Sequence, residues 1–187
     1  TGPSAAGKDT VLSRLKALLP QAHFAITATT RPPRPTERDG IDYHFVSLEE
    51  FRRMVAEDEL LEHAVVYGDL KGVPKAAVRS ALEQGKDVLM RTDVQGARYI
   101  KSAVPGSTTI FVTVPSIEDI PERLRWRAAD SEEQEQLRLR AAPGEMECAG
   151  EFDYTVVNDD LDHCVAEVRE ILDRERVRPG RPSPVVD

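Results

Sequence analysis

The first ten residues, TGPSAAGKDT, constrain the fold more than any other stretch of the chain. Gly2 is followed after four residues by Gly7 and Lys8, which is the spacing of a phosphate-binding loop, or P-loop. In such a loop the glycines let backbone N–H groups approach phosphate oxygens, and the N-terminus of the next helix adds a favourable dipole. The alternative is a chance glycine-rich turn, because the motif is short and Asp9 replaces its usual Ser or Thr.

A helix follows directly, as the motif requires. Apolar residues recur at helical spacing from Val11 to Leu19, and Pro20 ends the pattern. Short apolar strand patterns then alternate with helical patterns, which predicts an α/β P-loop three-layer fold with a mainly parallel sheet. The predicted strands are 23–27, 42–46, 60–68, 87–91, 108–114 and 154–157; the later predicted helices start at 47 or cover 74–84, 94–103, 116–127 and 161–172.

The length of 187 residues predicts one domain with a small insertion. The segment 31–72 is more extended and polar than the rest, which favours an inserted lobe. The strongly charged segment 127–150 is interpreted as a helical lid, and the Pro- and Arg-rich end as disordered. The predicted organisation is a single domain over 1–175, with a core of 1–30 and 73–175, a lobe of about 31–72, a lid of about 127–150 and a disordered tail over 176–187.

Composition excludes several classes of protein. The net charge of −8 argues against a general nucleic-acid binder, because a phosphate backbone would be repelled. Cys148 and Cys164 fit no metal-ligand spacing, so a reduced, soluble intracellular setting is the default expectation. No apolar run is long enough to span a membrane, and no signal peptide is evident. Since a P-loop normally follows a buried strand, we expect further residues upstream of Thr1.

The segment TATTRPPRPTERDGIDYHF, residues 27–45, is a second candidate phosphate site. Arg31 and Arg34 flank prolines, which hold the backbone extended and preset the directions of the side chains. Two guanidinium groups so placed suit a phosphate monoester, which they can bind bidentately. Thr27 and Tyr43 can add hydroxyl donors. The alternative is a solvated loop with ordinary surface charge.

This segment resembles the GMP-binding signature of guanylate kinases. ELLEHAVVYG, DVLMRTDVQGA and FDYTVVND, which follow it, resemble further segments of that family in the same order. The resemblance extends from residue 1 to about 175 and is closest to the plastid-type branch. It implies ATP-dependent phosphorylation of GMP to GDP with Mg²⁺, in the cytoplasm or the chloroplast stroma. The expected partners are the small-molecule substrates ATP and GMP, and the chain is expected to be a monomer or homodimer. No nucleic-acid or membrane partner is expected.

The resemblance also implies roles for individual residues. Lys8 and two lid arginines, Arg127 and Arg138, are expected to be catalytic. Glu62 is expected to accept hydrogen bonds from guanine. The expected ATP-binding residues are Gly2, Pro3, Ser4, Ala5, Ala6, Gly7, Lys8, Asp9, Thr10 and Asn158; the expected GMP-binding residues are Thr27, Arg31, Arg34, Tyr43, Glu62, Lys71 and Asp93.

Some positions depart from the family pattern. Lys71 and Val73 stand where the commoner members have a phosphate-binding Tyr and a base-reading Ser or Thr, so base reading rests more on Glu62. Pro143 and Gly144 stand where the family has helix. Proline in a helix interior costs about 3 kcal/mol, so we expect the lid helix to break there.

Asp9 and Arg91 depart from the pattern in a complementary way. Asp9 places a carboxylate where a hydroxyl normally meets Mg²⁺, and Arg91 places a cation where an acid is usual. The hypothesis is that Asp9 helps to hold Mg²⁺ and that Arg91 balances its charge. The alternative is that Asp9 only stabilises the start of the helix through its charge.

Two other functions stay open on the sequence alone. One is a non-catalytic binding module of the guanylate kinase type; Lys8, Arg127 and Arg138 argue against it, because such modules typically lose the ATP loop. The other is a P-loop kinase acting on a phosphorylated sugar, against which the long GMP-binding signature argues.

Overall fold

The computed structural model describes residues 1–125 and 131–187. Helices and strands alternate along the chain, as predicted. The helices are α1 Lys8–Leu18, α2 Leu48–Ala56, α3 Lys75–Glu83, α4 Val94–Ala103, α5 Ile120–Arg125, α6 Glu132–Glu147 and α7 Leu161–Arg176. The strands are β1 His23–Phe24, β2 Ala28–Thr29, β3 His44–Phe45, β4 Leu60–Val66, β5 Asp69–Pro74, β6 Val88–Leu89, β7 Ile110–Thr113 and β8 Tyr154–Val157. Single 3₁₀ turns cover Ile117–Asp119 and Cys148–Glu151.

Backbone contacts divide the chain into two compact units. The first unit comprises Thr1–Leu19 and Pro105–Ser183, and the second comprises Pro20–Val104 and Pro184–Asp187. The second unit contains the whole segment predicted as an inserted lobe and extends beyond it on both sides. The division into core, lobe and lid stays a prediction.

The first unit is built on a parallel strand pair. β7 and β8 align Ile110 with Tyr154 and continue in register to Thr113 and Val157. Phe111 of β7 is fully buried and stacks on Phe152, with ring centroids 5.4 Å apart. The helices α1 and α7 pack against each other in the same unit. Since the phosphate loop precedes α1, this packing fixes the helix that the loop opens.

The second unit contains a four-stranded sheet and a separate strand pair. The sheet has the order β3-β2-β5-β4, in which β2 and β3 run parallel and the other neighbours run antiparallel. β4 and β5 form a hairpin whose two turn residues, Tyr67 and Gly68, both have positive φ, as a tight hairpin turn requires. β1 and β6 form the parallel pair.

Three strand predictions were much too long. Residues 23–27, 42–46 and 87–91 contain only the two-residue strands β1, β3 and β6. The backbone beyond β1 stays hydrogen-bonded, since Ala25 N donates to Leu89 O at 2.9 Å. The helix starting after Ser47 is confirmed, and the Ser47 side chain accepts from Glu50 N as an N-cap.

The predicted break of the lid helix is wrong. α6 runs without interruption from Glu132 to Glu147 and contains both Pro143 and Gly144. Both residues are exposed, whereas Arg138 and Ala142 of the same helix are buried. The hydrogen bond that proline removes is therefore lost on the solvent side, where water can replace it. Packing of the opposite face overrides the local propensity.

The segment after α7 differs from the expected disordered tail. It contains no helix or strand, but Val186 is buried in a hydrophobic cluster with Leu61 and Val73. Arg79 Nε donates to Val186 O at 3.0 Å. Neighbouring Val185 is 63% exposed, so a single apolar side chain anchors this end. No helix among residues 1–125 and 131–187 is long and apolar enough to cross a bilayer.

Candidate active site

The glycine-rich loop begins beside β7. Thr1 N donates to Ile110 O and Thr1 O accepts from Val112 N, both at 2.8 Å. Gly7 is the N-cap residue of α1 and adopts φ 84°, and it provides no side-chain cap. No side chain at position 7 therefore caps the first N–H groups of α1. A helix start that binds an anion needs such uncapped N–H groups.

Lys8 lies over this loop. Its Nζ donates to the carbonyl oxygens of Gly2 and Pro3, each at 2.6 Å. Within the loop, Ala5 adopts φ 63°, a left-handed conformation that costs a non-glycine residue free energy. The loop therefore has the strained turn and the adjacent ammonium group of a phosphate-binding loop.

Asn158 supports the loop from the end of β8. It is 7% exposed, and its Nδ2 donates to Ala6 O at 2.8 Å. A Cβ on Gly7 would lie 2.3 Å from that Nδ2 atom, so only glycine fits at position 7. Arg123 Nη2 donates to Asn158 O at 2.8 Å. The sequence predicted Asn158 as an ATP-side residue; the structure adds that it holds the backbone of the loop.

Helix α6 brings two charged side chains to the loop. Arg138 is 5% exposed, and its Nη1 donates to Ser4 Oγ at 3.1 Å. Glu145 Oε2 accepts from Ser4 N at 3.1 Å. Arg138 and Glu145 are seven residues apart, which places them two turns apart on one face of the helix. Glu145 was not predicted, and its spacing from the predicted Arg138 is the sequence signal that indicates it.

Asp9 and Thr10 lie in the first turn of α1. Residues 1–125 and 131–187 contain no group of three His, Cys, Asp or Glu side chains that could hold a metal ion. Mg²⁺ is commonly held by one or two carboxylates together with substrate phosphates and water. The Asp9 carboxylate beside this loop fits a Mg²⁺ ion that is bound together with the phosphates of a nucleotide.

The predicted arginines of the second unit meet at one carboxylate. Arg31 Nη2 donates to both oxygens of Glu37, at 2.8 and 2.9 Å. Arg34 also donates to the Glu37 carboxylate, from its backbone N at 2.8 Å and from its Nη1 at 3.4 Å. The three side chains are only 10–16% exposed. Glu37 was not predicted; an acid three residues after Arg34 in an arginine-rich loop was its only signal.

Tyr43 joins this cluster through its ring. The Tyr43 ring is 8% exposed, and the Arg31 guanidinium carbon lies 5.3 Å from its centroid. The guanidinium carbon of Arg91 lies 4.6 Å from the same centroid. Thr27 Oγ1 donates to Arg91 O at 3.4 Å. The structure thus places four of the predicted GMP-binding residues together and adds Arg91 to them. The four are Thr27, Arg31, Arg34 and Tyr43.

Glu62 is a buried carboxyl group on β4. It is 6% exposed, and burial together with the nearby charge of Asp93 raises its pKa to about 8. Asp93 also caps α4, since its Oδ1 accepts from Gly96 N at 3.0 Å. A Cβ on Gly96 would lie 2.3 Å from Glu62 Oε2. The start of α4 therefore lies close against the carboxyl group, and a side chain at position 96 would displace it.

Two further positions singled out from the sequence, Lys71 and Val73, lie on β5. Lys71 lies on β5, aligned with Thr29 of β2 and Ala64 of β4. Val73 is fully buried and aligned with Glu62. Arg127 lies outside the described residues. The loop, Arg138 and Asn158 belong to the first unit, and the predicted GMP-binding residues belong to the second.

A sequence model of guanylate kinase matches residues 1–175. The chain belongs to the guanylate kinase family. It is 42% identical over 181 residues to a guanylate kinase of Desulfitobacterium hafniense, covering 97% of this chain and 90% of that protein. It is 47% identical over 181 residues to a guanylate kinase of Thermus thermophilus, covering 97% of this chain and 82% of that protein.

The fold is that of the same family. A crystal structure of guanylate kinase from Anaplasma phagocytophilum matches with a TM-score of 0.77 and 30% identity, covering 96% of this chain and 85% of that one. This confirms the predicted α/β P-loop fold and the resemblance to guanylate kinases. Membership of the plastid-type branch stays a prediction.

The raised pKa of Glu62 makes a prediction about stability. A carboxyl group whose pKa is higher in the folded than in the unfolded state stabilises the fold at low pH and loses that effect as pH rises. The wild type should therefore lose about 1.4 kcal/mol of unfolding free energy per pH unit relative to Glu62→Gln, between the ordinary pKa of 4.5 and about 8. Urea unfolding of both proteins from pH 5 to 9 measures the difference. Parallel pH curves would contradict the burial of an ionisable group at this site.

Proposed function

We propose that this chain transfers the γ-phosphoryl group of ATP to GMP, giving ADP and GDP. A GMP phosphate oxygen attacks the γ-phosphorus, and the bond to the β–γ bridging oxygen breaks, with its electron pair leaving on ADP. Such a transfer needs positioning and charge neutralisation rather than a covalent intermediate. The family and the relatives named above support this activity.

The ATP side of the proposal rests on the first unit. The loop Gly2–Thr10 would bind the nucleotide phosphates through its N–H groups and the start of α1. Lys8, already hydrogen-bonded to loop carbonyls, would exchange them for phosphate oxygens. Arg138 and Arg127 would neutralise charge on the transferring group. Asn158 would keep the loop in shape through its bond to Ala6 O.

The GMP phosphate side rests on the arginine cluster of the second unit. Arg31, Arg34, Tyr43 and Thr27 would bind the monoester, with Lys71 as a further cation. Glu37 holds both guanidinium groups in a partly buried setting. In that setting a phosphate gains more from charged hydrogen bonds than it would at an exposed surface.

The burial of the Glu62 carboxyl group is the single observation that supports guanine as the base of the acceptor. A carboxyl group that is 6% exposed is costly unless a ligand supplies donors. Guanine offers two adjacent donors, N1–H and the 2-amino group, which a carboxylate accepts together. Adenine offers no such pair. Asp93, which caps the neighbouring helix, would complete the enclosure of the base.

The base preference follows from this pairing. We predict much faster phosphorylation of GMP than of AMP, CMP or UMP, measured as kcat/KM in a coupled ADP assay. Glu62→Gln should lose most of the preference, since each buried group left unpaired costs about 1–3 kcal/mol. Asp69→Asn, an acid-to-amide change at the start of β5, serves as the control. Equal rates of the wild type on AMP and GMP would overturn the proposed function.

The two groups of arginines should give different kinetic effects. Arg31→Ala should raise KM for GMP with a smaller effect on kcat, because it binds the phosphate in the ground state. Arg138→Ala should mainly lower kcat, because its charge acts in the transition state. Steady-state kinetics with each substrate varied in turn separates the two effects. The reverse pattern would mean that the two roles are exchanged.

Mg²⁺ is proposed to accompany ATP and to neutralise charge on its phosphates. Asp9 would hold the ion directly or through water. We predict that Asp9→Ala raises the Mg²⁺ concentration needed for half-maximal rate and leaves KM for GMP unchanged. Thr10→Ala tests the neighbouring hydroxyl in the same titration. An unmoved Mg²⁺ curve in Asp9→Ala would leave Asp9 as a residue that only stabilises the start of α1.

A further inference from the structure

Arg91 lies among residues that the proposed function gives to the GMP phosphate. Its guanidinium carbon is 4.6 Å from the Tyr43 ring centroid, and that of Arg31 is 5.3 Å from the same centroid. The two guanidinium carbons can therefore be no farther apart than the sum of those distances. The sequence pattern indicates only one role for Arg91, that of a countercharge for Asp9.

The backbone holds Arg91 in this place. Its carbonyl oxygen accepts from Thr27 Oγ1 at 3.4 Å, and Thr27 O in turn accepts from His44 N at 3.0 Å. Arg91 is thereby connected through Thr27 to the residue that follows Tyr43. These bonds connect the backbone of Arg91 to the segments that carry the predicted phosphate ligands.

The guanidinium groups of this cluster favour binding of a phosphate. Arg31, Arg34 and Arg91 bring three guanidinium groups to this cluster, and Glu37 forms ion pairs with Arg31 and Arg34. Two guanidinium groups that contact one ring repel each other, and the charge of a bound phosphate dianion would offset that repulsion. Planar guanidinium groups bind phosphate bidentately, and stacking on an aromatic ring orients their N–H edges.

We infer that Arg91 is a further phosphate-binding residue, which contacts the monoester of the nucleotide acceptor alongside Arg31 and Arg34. Tyr43 acts as the platform that orients Arg91. The inference rests on the proposed function and adds a residue to it. It predicts that Arg91 contributes to binding of the phosphate and not to binding of the base, which Glu62 reads separately.

Paired ligands test this division. Binding of GMP and of guanosine, which lacks the phosphate, is measured by calorimetry for the wild type, Arg91→Met and Arg91→Lys. We expect Arg91→Met to weaken GMP binding at least tenfold and guanosine binding less than twofold. Arg91→Lys keeps the charge but not the planar stacking, so it should fall between the wild type and Arg91→Met. Equal weakening of both ligands, or of neither, would overturn the inference.

Kinetics and a charge-matched control complete the test. Arg91→Met should raise KM for GMP about tenfold and leave KM for ATP within twofold. Arg52→Met removes the same charge from an exposed position on α2 of the same unit, and it should leave both KM values unchanged. If the wild type fails to phosphorylate GMP, the proposed function is wrong. If it is active and Arg91→Met matches it, only the role of Arg91 is wrong.

Discussion

The burial of the Glu62 carboxyl group is the physical constraint on which the proposed recognition of guanine depends. The carboxyl group lies on a strand of the second unit, 6% exposed, with Gly96 against it and Asp93 raising its pKa further, to about 8. Without a ligand, the favoured form near neutral pH is therefore the protonated one. A base with two adjacent donors favours the ionised form instead, because it replaces the lost water. In the proposed function, recognition of the acceptor base would therefore be coupled to loss of a proton from Glu62.

Recognition of phosphate in the proposed function depends on cations and backbone donors, unlike recognition of the base by Glu62. The chain is acidic overall, with a net charge of −8, so anionic ligands must be bound by local concentrations of cations and backbone donors. In the first unit a strained loop, Lys8 and a buried Arg138 provide them. In the second unit an arginine cluster does so around Glu37 and Tyr43. In both clusters a carboxylate, Glu145 or Glu37, already accepts hydrogen bonds from groups proposed to bind phosphate. Incoming phosphates would compete with these carboxylates.

Local patterns predicted much of the fold and most of the candidate residues. The loop and its helix, the Ser47 cap and the β8 strand follow from short-range spacing and were predictable. The continuity of α6 was not, because burial of Arg138 and Ala142 outweighs the cost of an exposed Pro143. The sequence likewise predicts Val186 to be part of a disordered tail. In the structure it packs into a hydrophobic cluster with Leu61 and Val73, which are distant in the sequence. The contacts of Glu145 with Ser4 and of Arg91 with Tyr43 join residues far apart in the sequence. Glu37, by contrast, lies close in the sequence to Arg31 and Arg34.

Proton release on GMP binding tests the central claim most directly. Calorimetric titration of the protein with GMP in two buffers of different ionisation enthalpy gives the number of protons released. If Glu62 has a pKa of about 8 before binding and is ionised afterwards, close to one proton is released at pH 7 and almost none at pH 9. Absence of proton release at pH 7, with GMP bound, would contradict the account of Glu62 as the guanine-reading carboxylate.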